Sequence, residues 1–275
     1  MKTKRIIGIV LTAIFAVSSL FFGYLYYQDV SDAKRSENTF DQLQQLIVEA
    51  TPAPTQTPVP NDPDITAIPD APQDPTEEAP EIAQAQEAFS RYEELYTRNN
   101  DFIGWITIDG TNINYPVMHS PDRPDFYLSH GFDREESSYG VPYIDEKCSI
   151  GLSNNIVVYG HRMNNGMMFH DLVNYAELSF WQSHPTIRFD TIRSMDTYEV
   201  MSAFYFDTDN ETFFFNDCID MNAASFDEYI QNCWSRQLYD TGVVATYGDT
   251  LLTLSTCDYT YPNGRFVVVA RKVVG

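Results

Sequence analysis

The chain has 275 residues, with 39 acidic against 17 basic side chains, a formal net charge of -22 and a pI near 4.3. Nucleic-acid binding is excluded, because polyanions are held by Lys and Arg stripes and no such stripe follows the first five residues. A hydrophobic content of 43%, with 14% aromatic residues, is ample for a sizeable core and excludes wholesale disorder.

Positions 6–27 (IIGIVLTAIFAVSSLFFGYLYY) are 22 residues without a charge, preceded by Lys2, Lys4 and Arg5. A hydrocarbon core about 30 Å thick needs roughly 20 helical residues, so this stretch can span it. The cations place residues 1–5 in the cytoplasm and the rest of the chain outside. A cleaved signal peptide is the competing reading, with Ala16-Val17-Ser18 as its small-x-small site, but the apolar run continues past that point.

Residues 28–80 read as an extracellular, acidic, proline-rich stalk, with nine of the chain's 15 prolines between Thr51 and Pro80. Proline favours the extended polyproline II form, in which 30 residues at roughly 3.1 Å each would reach up to about 90 Å. Within this region, Phe40, Leu43, Leu46 and Ile47 fall at helical spacing and predict a short helix at most.

Residues 81–275 read as one globular unit. It opens with an amphipathic helix carrying Ile82, Ala85, Phe89, Tyr92 and Tyr96, with Pro80 and Glu81 suited to its first turn. Trp105 to Ile108, the turn at Asp109-Gly110 and Ile113 to Val117 predict a hairpin. Further strands are expected over 139–144, 155–159, 186–190, 198–206, 250–256 and 266–270, with helical stretches near 168–175 and 223–234. Many short strands and few helices indicate a mainly β (α+β) fold built on a closed or nearly closed barrel.

Cys257 stands at the end of the strand over 250–256, and Arg265 enters the strand over 266–270. If the two strands are neighbours, thiol and guanidinium lie at the same end of the sheet. That arrangement suits acyl transfer, in which a thiolate attacks a peptide carbonyl and a permanent cation stabilises the developing oxyanion. A thiol with a pKa of about 8.5 is only a few per cent ionised at neutral pH, so a histidine is expected as proton partner. Of the five histidines, His161 has the best setting, at the end of the strand over 155–159 after Gly160. His119 and His130 lie in turn-rich stretches, His170 on a short helix and His184 before a proline. Each alternative has a plain structural reading: a buried strand-end cysteine for Cys257, and a carboxylate partner for Arg265 in this acidic domain.

Leu254-Ser255-Thr256-Cys257, with Arg265 eight residues beyond the cysteine in Gly-Arg-Phe-Val-Val-Val-Ala-Arg, resembles the signature of the sortases, class B in particular. The stretch ending Val-Val-Tyr-Gly-His161 resembles the family's histidine strand, and Asp125 to Leu128 and Tyr139 to Asp145 resemble two earlier segments. The resemblance runs over most of residues 81–275 and does not cover the stalk. It implies a closed barrel of about eight strands, with an N-terminal helix and a helix inserted before the cysteine strand, tethered by the transmembrane segment. It implies a cysteine transpeptidase of a Gram-positive cell surface, which cleaves a C-terminal sorting motif of Asn-Pro-x-Thr type after the threonine. The acyl group would pass to an amine of cell-wall peptidoglycan, and no cofactor or metal is implied. Carried over, Cys257 would be the nucleophile, His161 the acid and then the base, and Arg265 the oxyanion clamp. The Asp258 N–H would be a second oxyanion donor, and Ser255 and Thr256 would line the substrate groove. A pilin-polymerising sortase with a lysine acceptor, and a catalytically silent stalked binding module, are the alternatives.

The remaining cysteines are Cys148, Cys218 and Cys233, for which either a Cys218–Cys233 disulfide or free thiols are open outside the membrane. Asp207-Thr-Asp-Asn-Glu211 has the acidic look of a calcium loop, yet it lacks the required glycine and the spaced glutamate.

Overall fold

The computed structural model describes residues 2–50, 78–209, 212–260 and 262–273. Most of the proline-rich segment therefore lies outside the described residues.

The first helix, α1 (Lys2–Ala50), runs unbroken for 49 residues. No proline occurs before Pro52, and a proline disfavours the helical conformation in the residue before it, which sets the end. The N-terminal part of α1 is long and apolar enough to cross a membrane by length and composition. It leaves Leu11, Phe15, Leu20 and Phe22 exposed. The C-terminal part differs from the expected short helix in a stalk. Ser36, Phe40 and Leu43 are buried, and Phe40 and Leu43 join the main core. The apolar spacing was visible in the sequence, but the polar run over 28–38 hid the continuity. Within that run Asp32, Arg35 and Ser36 bond to the domain.

The amphipathic helix α2 (Glu78–Arg98) packs on α1 and on the barrel through Ala88, Tyr92 and Leu95, which are at most 2% exposed. The eight strands are β1 (Phe102–Thr107), β2 (Asn114–Met118), β3 (Tyr143–Ile144), β4 (Asn155–Tyr159), β5 (Thr186–Thr191), β6 (Met195–Asp207), β7 (Leu251–Cys257) and β8 (Gly264–Lys272). They close into a barrel, as expected, and their order is β1-β2-β3-β4-β7-β8-β6-β5. Closure leaves no open sheet edge. The predicted strand over 139–144 shrinks to its last two residues, because Gly140 is left-handed (φ 59°) and Pro142 has no N–H for a ladder.

In the centre of β8, Phe266 to Ala270 are all 0% exposed, so both faces of that strand are covered. This explains its unbroken Val run, since a strand buried on both sides shows no polar alternation. Short helix α3 (Leu178–Ser183) follows a 3₁₀ turn over His170–Ala176. Helix α4 (Ala223–Arg236) precedes β7 and buries Phe226, Tyr229, Ile230 and Cys233 at helical spacing. The Asn222 side chain caps it, its Oδ1 accepting from the N–H groups of Ala224 and Ser225 at 3.0 and 3.1 Å.

Candidate active site

Three adjacent strands position the candidate chemistry. β4 and β7 run parallel with Tyr159 opposite Ser255, and the Gly160 N–H extends the ladder to Ser255 O at 3.1 Å. Just beyond the last pairs stand His161 on one strand and Cys257 on the other. β8 lies antiparallel on the far side of β7, where Cys257 is the register partner of Arg265. Cys257, His161 and Arg265 thus line one cavity of about 460 Å³, whose wall also includes Ser255, Thr256, Tyr143 and Phe214. Both Cys257 and Arg265 are partly exposed, so the thiol and the guanidinium are reachable.

His161 is held through its ring. Its Nε2 lies 2.7 Å from the carbonyl oxygen of Leu128. A carbonyl only accepts, so Nε2 carries the hydrogen and Nδ1 is left to exchange a proton. The backbone at His161 is fixed as well, since Phe169 N–H donates to His161 O at 2.8 Å. Gly160 is required here by close approach, because a Cβ at that position would come within 2.7 Å of the buried Phe169 ring.

The expected substrate-lining pair behave differently from each other. Thr256 Oγ1 donates to Gly160 O at 2.7 Å and ties β7 to the His161 segment. Ser255 is 2% exposed and its Oγ has no hydrogen-bond partner, so the cavity wall carries one unsatisfied hydroxyl. The Asp258 N–H, expected as a second oxyanion donor, already has a partner in this structure. It donates to Gly264 O at 2.9 Å, because the β7–β8 hairpin continues one bond past Cys257. The Asp258 carboxylate pairs with Arg162 at 3.0 Å, and the Arg162 guanidinium lies 5.5 Å from the centre of the Tyr259 ring. The residues directly after the candidate histidine and cysteine therefore form an ion pair. Sequence reasoning missed Arg162, and its only signal was a cation next to His161 in a domain short of cations.

Around the cavity mouth, Tyr143 OH donates to Asp125 Oδ1 and Tyr159 OH to Asp145 Oδ2, both at 2.7 Å. Burial and the carboxylate partner push the Tyr143 and Tyr159 phenols far above their ordinary value, so both remain donors at any working pH. All four cysteines are free. Burial pushes the Cys148 and Cys233 thiols up to about 12 and Cys218 up to about 11. Among the described residues, no group of three His, Cys, Asp or Glu side chains is placed to hold a metal ion.

Comparison with known proteins identifies the family of this barrel. A family model described as the sortase domain matches residues 106–273. Sortase B of Listeria monocytogenes is 32% identical over 183 residues, covering 66% of this chain and 73% of that protein. Sortase B of Staphylococcus aureus is 31% identical over 186 residues, covering 66% and 75%. Among solved structures, a Staphylococcus aureus sortase B–substrate complex superposes with a TM-score of 0.66 at 25% identity, covering 88% of this chain and 98% of that one. Sortase B of Clostridium perfringens does so with a TM-score of 0.59 at 30% identity, covering 66% and 99%. By family match, barrel topology and relatives, this chain belongs to the sortases and, within them, to class B.

Proposed function

We propose that this class B sortase is anchored by α1, that it cleaves an Asn-Pro-x-Thr-type sorting motif of secreted proteins after the threonine, and that it transfers the acyl group to a cell-wall peptide amine. The observation that carries the reading is the convergence of Cys257, His161 and Arg265 on one cavity at the barrel rim.

The chemistry follows from those three groups. Cys257 passes its thiol proton to His161 and attacks the threonine carbonyl carbon through Sγ, and the oxyanion charge that develops falls to the Arg265 guanidinium, which keeps its own charge throughout. The C–N bond then breaks and His161 gives a proton to the leaving amine, which leaves a thioester on Cys257. The incoming amine attacks that thioester, His161 takes a proton from it, and a new amide forms as the C–S bond breaks and Cys257 leaves as the thiolate, which His161 can reprotonate. With Nε2 donating to Leu128 O, Nδ1 is the nitrogen that handles these protons. Water competes with the amine for the thioester, so transfer requires the acceptor to be held against it.

The test incubates the full-length protein in detergent with a fluorescent Asn-Pro-x-Thr-type peptide panel and an amine acceptor. Cleavage and a joined product are expected, and both vanish in Cys257→Ala. Activity that survives Cys257→Ala, or no cleavage of any peptide, rejects the reading. For topology, Lys2, Lys4 and Arg5 keep the N-terminus cytoplasmic. A reporter enzyme that works only outside the cytoplasm, fused after Gly275, is then active in cells, and a silent reporter reverses the orientation.

A further inference from the structure

The C-terminal part of α1 is bonded to the loop that carries Leu128. Asp32 Oδ2 accepts from the Ser138 N–H at 2.7 Å, from the Ser138 hydroxyl at 2.8 Å and from the Ser137 hydroxyl at 3.3 Å. Arg35 pairs with Asp32 at 2.9 Å and donates to the carbonyl of Glu136. The Ser36 and Ser137 hydroxyls meet at 3.4 Å in a buried contact. Three consecutive residues, Glu136, Ser137 and Ser138, are therefore held by one helix.

Those three residues are tied in turn to the carbonyl that orients His161. Ser137 N–H donates to Ser129 O and Val141 N–H to Tyr127 O, each at 3.0 Å. Gly140 lies so close to the same stretch that a Cβ there would sit 2.4 Å from Tyr127 O and 2.8 Å from Leu128 O. Leu128 O then accepts from His161 Nε2. A second route reaches the other side of the histidine. The Phe40 ring packs edge-on against Tyr115 at 5.2 Å, Tyr115 OH accepts from the Met168 N–H at 3.0 Å, and the neighbouring Phe169 N–H holds His161 O.

We infer that the juxtamembrane part of α1 is a positioning element for His161, acting through Asp32 and Arg35 on the 136–138 segment and through Phe40 on Tyr115. The inference rests on the proposed role of His161. It also reassigns the anchor. Because α1 is bound to the barrel before Ala50 and α2 is bound after Glu78, the chain between them joins two docked helices and does not set the reach from the membrane. The site is held instead at the height of a rigid helix, about 20 Å from residue 28 to Phe40 at 1.5 Å per residue. A domain cut at residue 81 would lack this support.

The experiment uses the full-length protein in detergent, with kcat and KM measured on the sorting peptide alongside thermal unfolding. Asp32→Ala is expected to lower kcat about tenfold with KM within twofold, since ring placement matters to proton transfer more than to peptide binding. Asp32→Asn keeps an oxygen acceptor for Ser138 and is expected to recover most of that loss. With 15N-labelled histidine, Asp32→Ala also shifts the His161 ring signals, identified by their absence in His161→Ala, and Asp32→Asn returns them. Wild-type kcat and unchanged ring signals in Asp32→Ala overturn the inference, as does a lost kcat that Asp32→Asn fails to recover. If His161→Ala retains activity, the assignment of His161 fails instead, which separates the two ideas.

Discussion

Cys257 and Arg265 are direct register partners across the β7–β8 ladder, with seven residues, 258–264, between them in sequence. Their separation is set by strand pairing and not by loop conformation. The guanidinium is steadied by Nη1 donating to Gly264 O at 3.0 Å and to Asn263 O at 3.3 Å. Arg265→Ala should lower kcat by about 10²- to 10³-fold, the cost of losing one preorganised oxyanion donor. Arg265→Lys keeps the charge but not the planar fork and should recover only part of that. Peptide-cleavage kinetics with circular dichroism checks this. A variant within threefold of wild type would remove Arg265 from the chemistry.

Thiol reactivity offers an independent check on the nucleophile. Cys148 and Cys233 are buried, and burial raises their thiols to about 12, so they are protonated and shielded at pH 8. Cys218, raised to about 11, is also predominantly thiol there. Iodoacetamide at pH 8 should therefore add one label to the native protein, at Cys257, and four after denaturation in guanidinium. Intact mass followed by peptide mapping reads the outcome, and a first label on any other cysteine counts against the assignment.

Much of this site could be read from the chain before any fold was known. The alternation in 250–256 ending in Cys257, and the Val run after Arg265, located two neighbouring strands, while Gly160 marked the turn before His161. What could not be read was whatever depends on tertiary hydrogen bonding. The Asp258 N–H was expected to be a free donor because nothing in a linear sequence shows that the hairpin ladder runs one bond further. The backbone carbonyl of Leu128 has no side-chain signature. The run over 28–38 looked like solvated linker because polar residues that bond to a distant loop have the same composition as polar residues that bond to water.

The Arg162–Asp258 pair joins the residues that follow His161 and Cys257, and Asp258 is only 6% exposed. Removing one partner leaves the other charge with poor solvation, so each single Ala variant should lose about 1–3 kcal/mol of stability. The double variant should lose less than the sum, with a coupling of about 1 kcal/mol. Urea unfolding of the four proteins in the cycle measures this. Strict additivity would mean that the pair contributes nothing and that Asp258 matters in some other way.

Acid stability should depend on Asp101, which accepts from Tyr127 OH at 2.7 Å and pairs with Arg123 and Arg134 at 2.7 and 3.2 Å. Burial by itself would raise its pKa, but the Tyr127 hydrogen bond and the two guanidinium groups outweigh that and hold the carboxyl below its ordinary value of 3.8. A group depressed in the folded state contributes its stability above the unfolded pKa and loses it as pH falls through the folded one. Asp101→Asn should therefore cost about 1.5–3 kcal/mol at pH 7, the range for a hydrogen bond to a charged group. The difference from wild type should hold down to about pH 5 and shrink progressively below about pH 4. Thermal unfolding of both proteins across pH 2.5 to 7 provides the curve. A gap that stays constant to the lowest pH would show that packing, and not the ionised carboxylate, accounts for the loss.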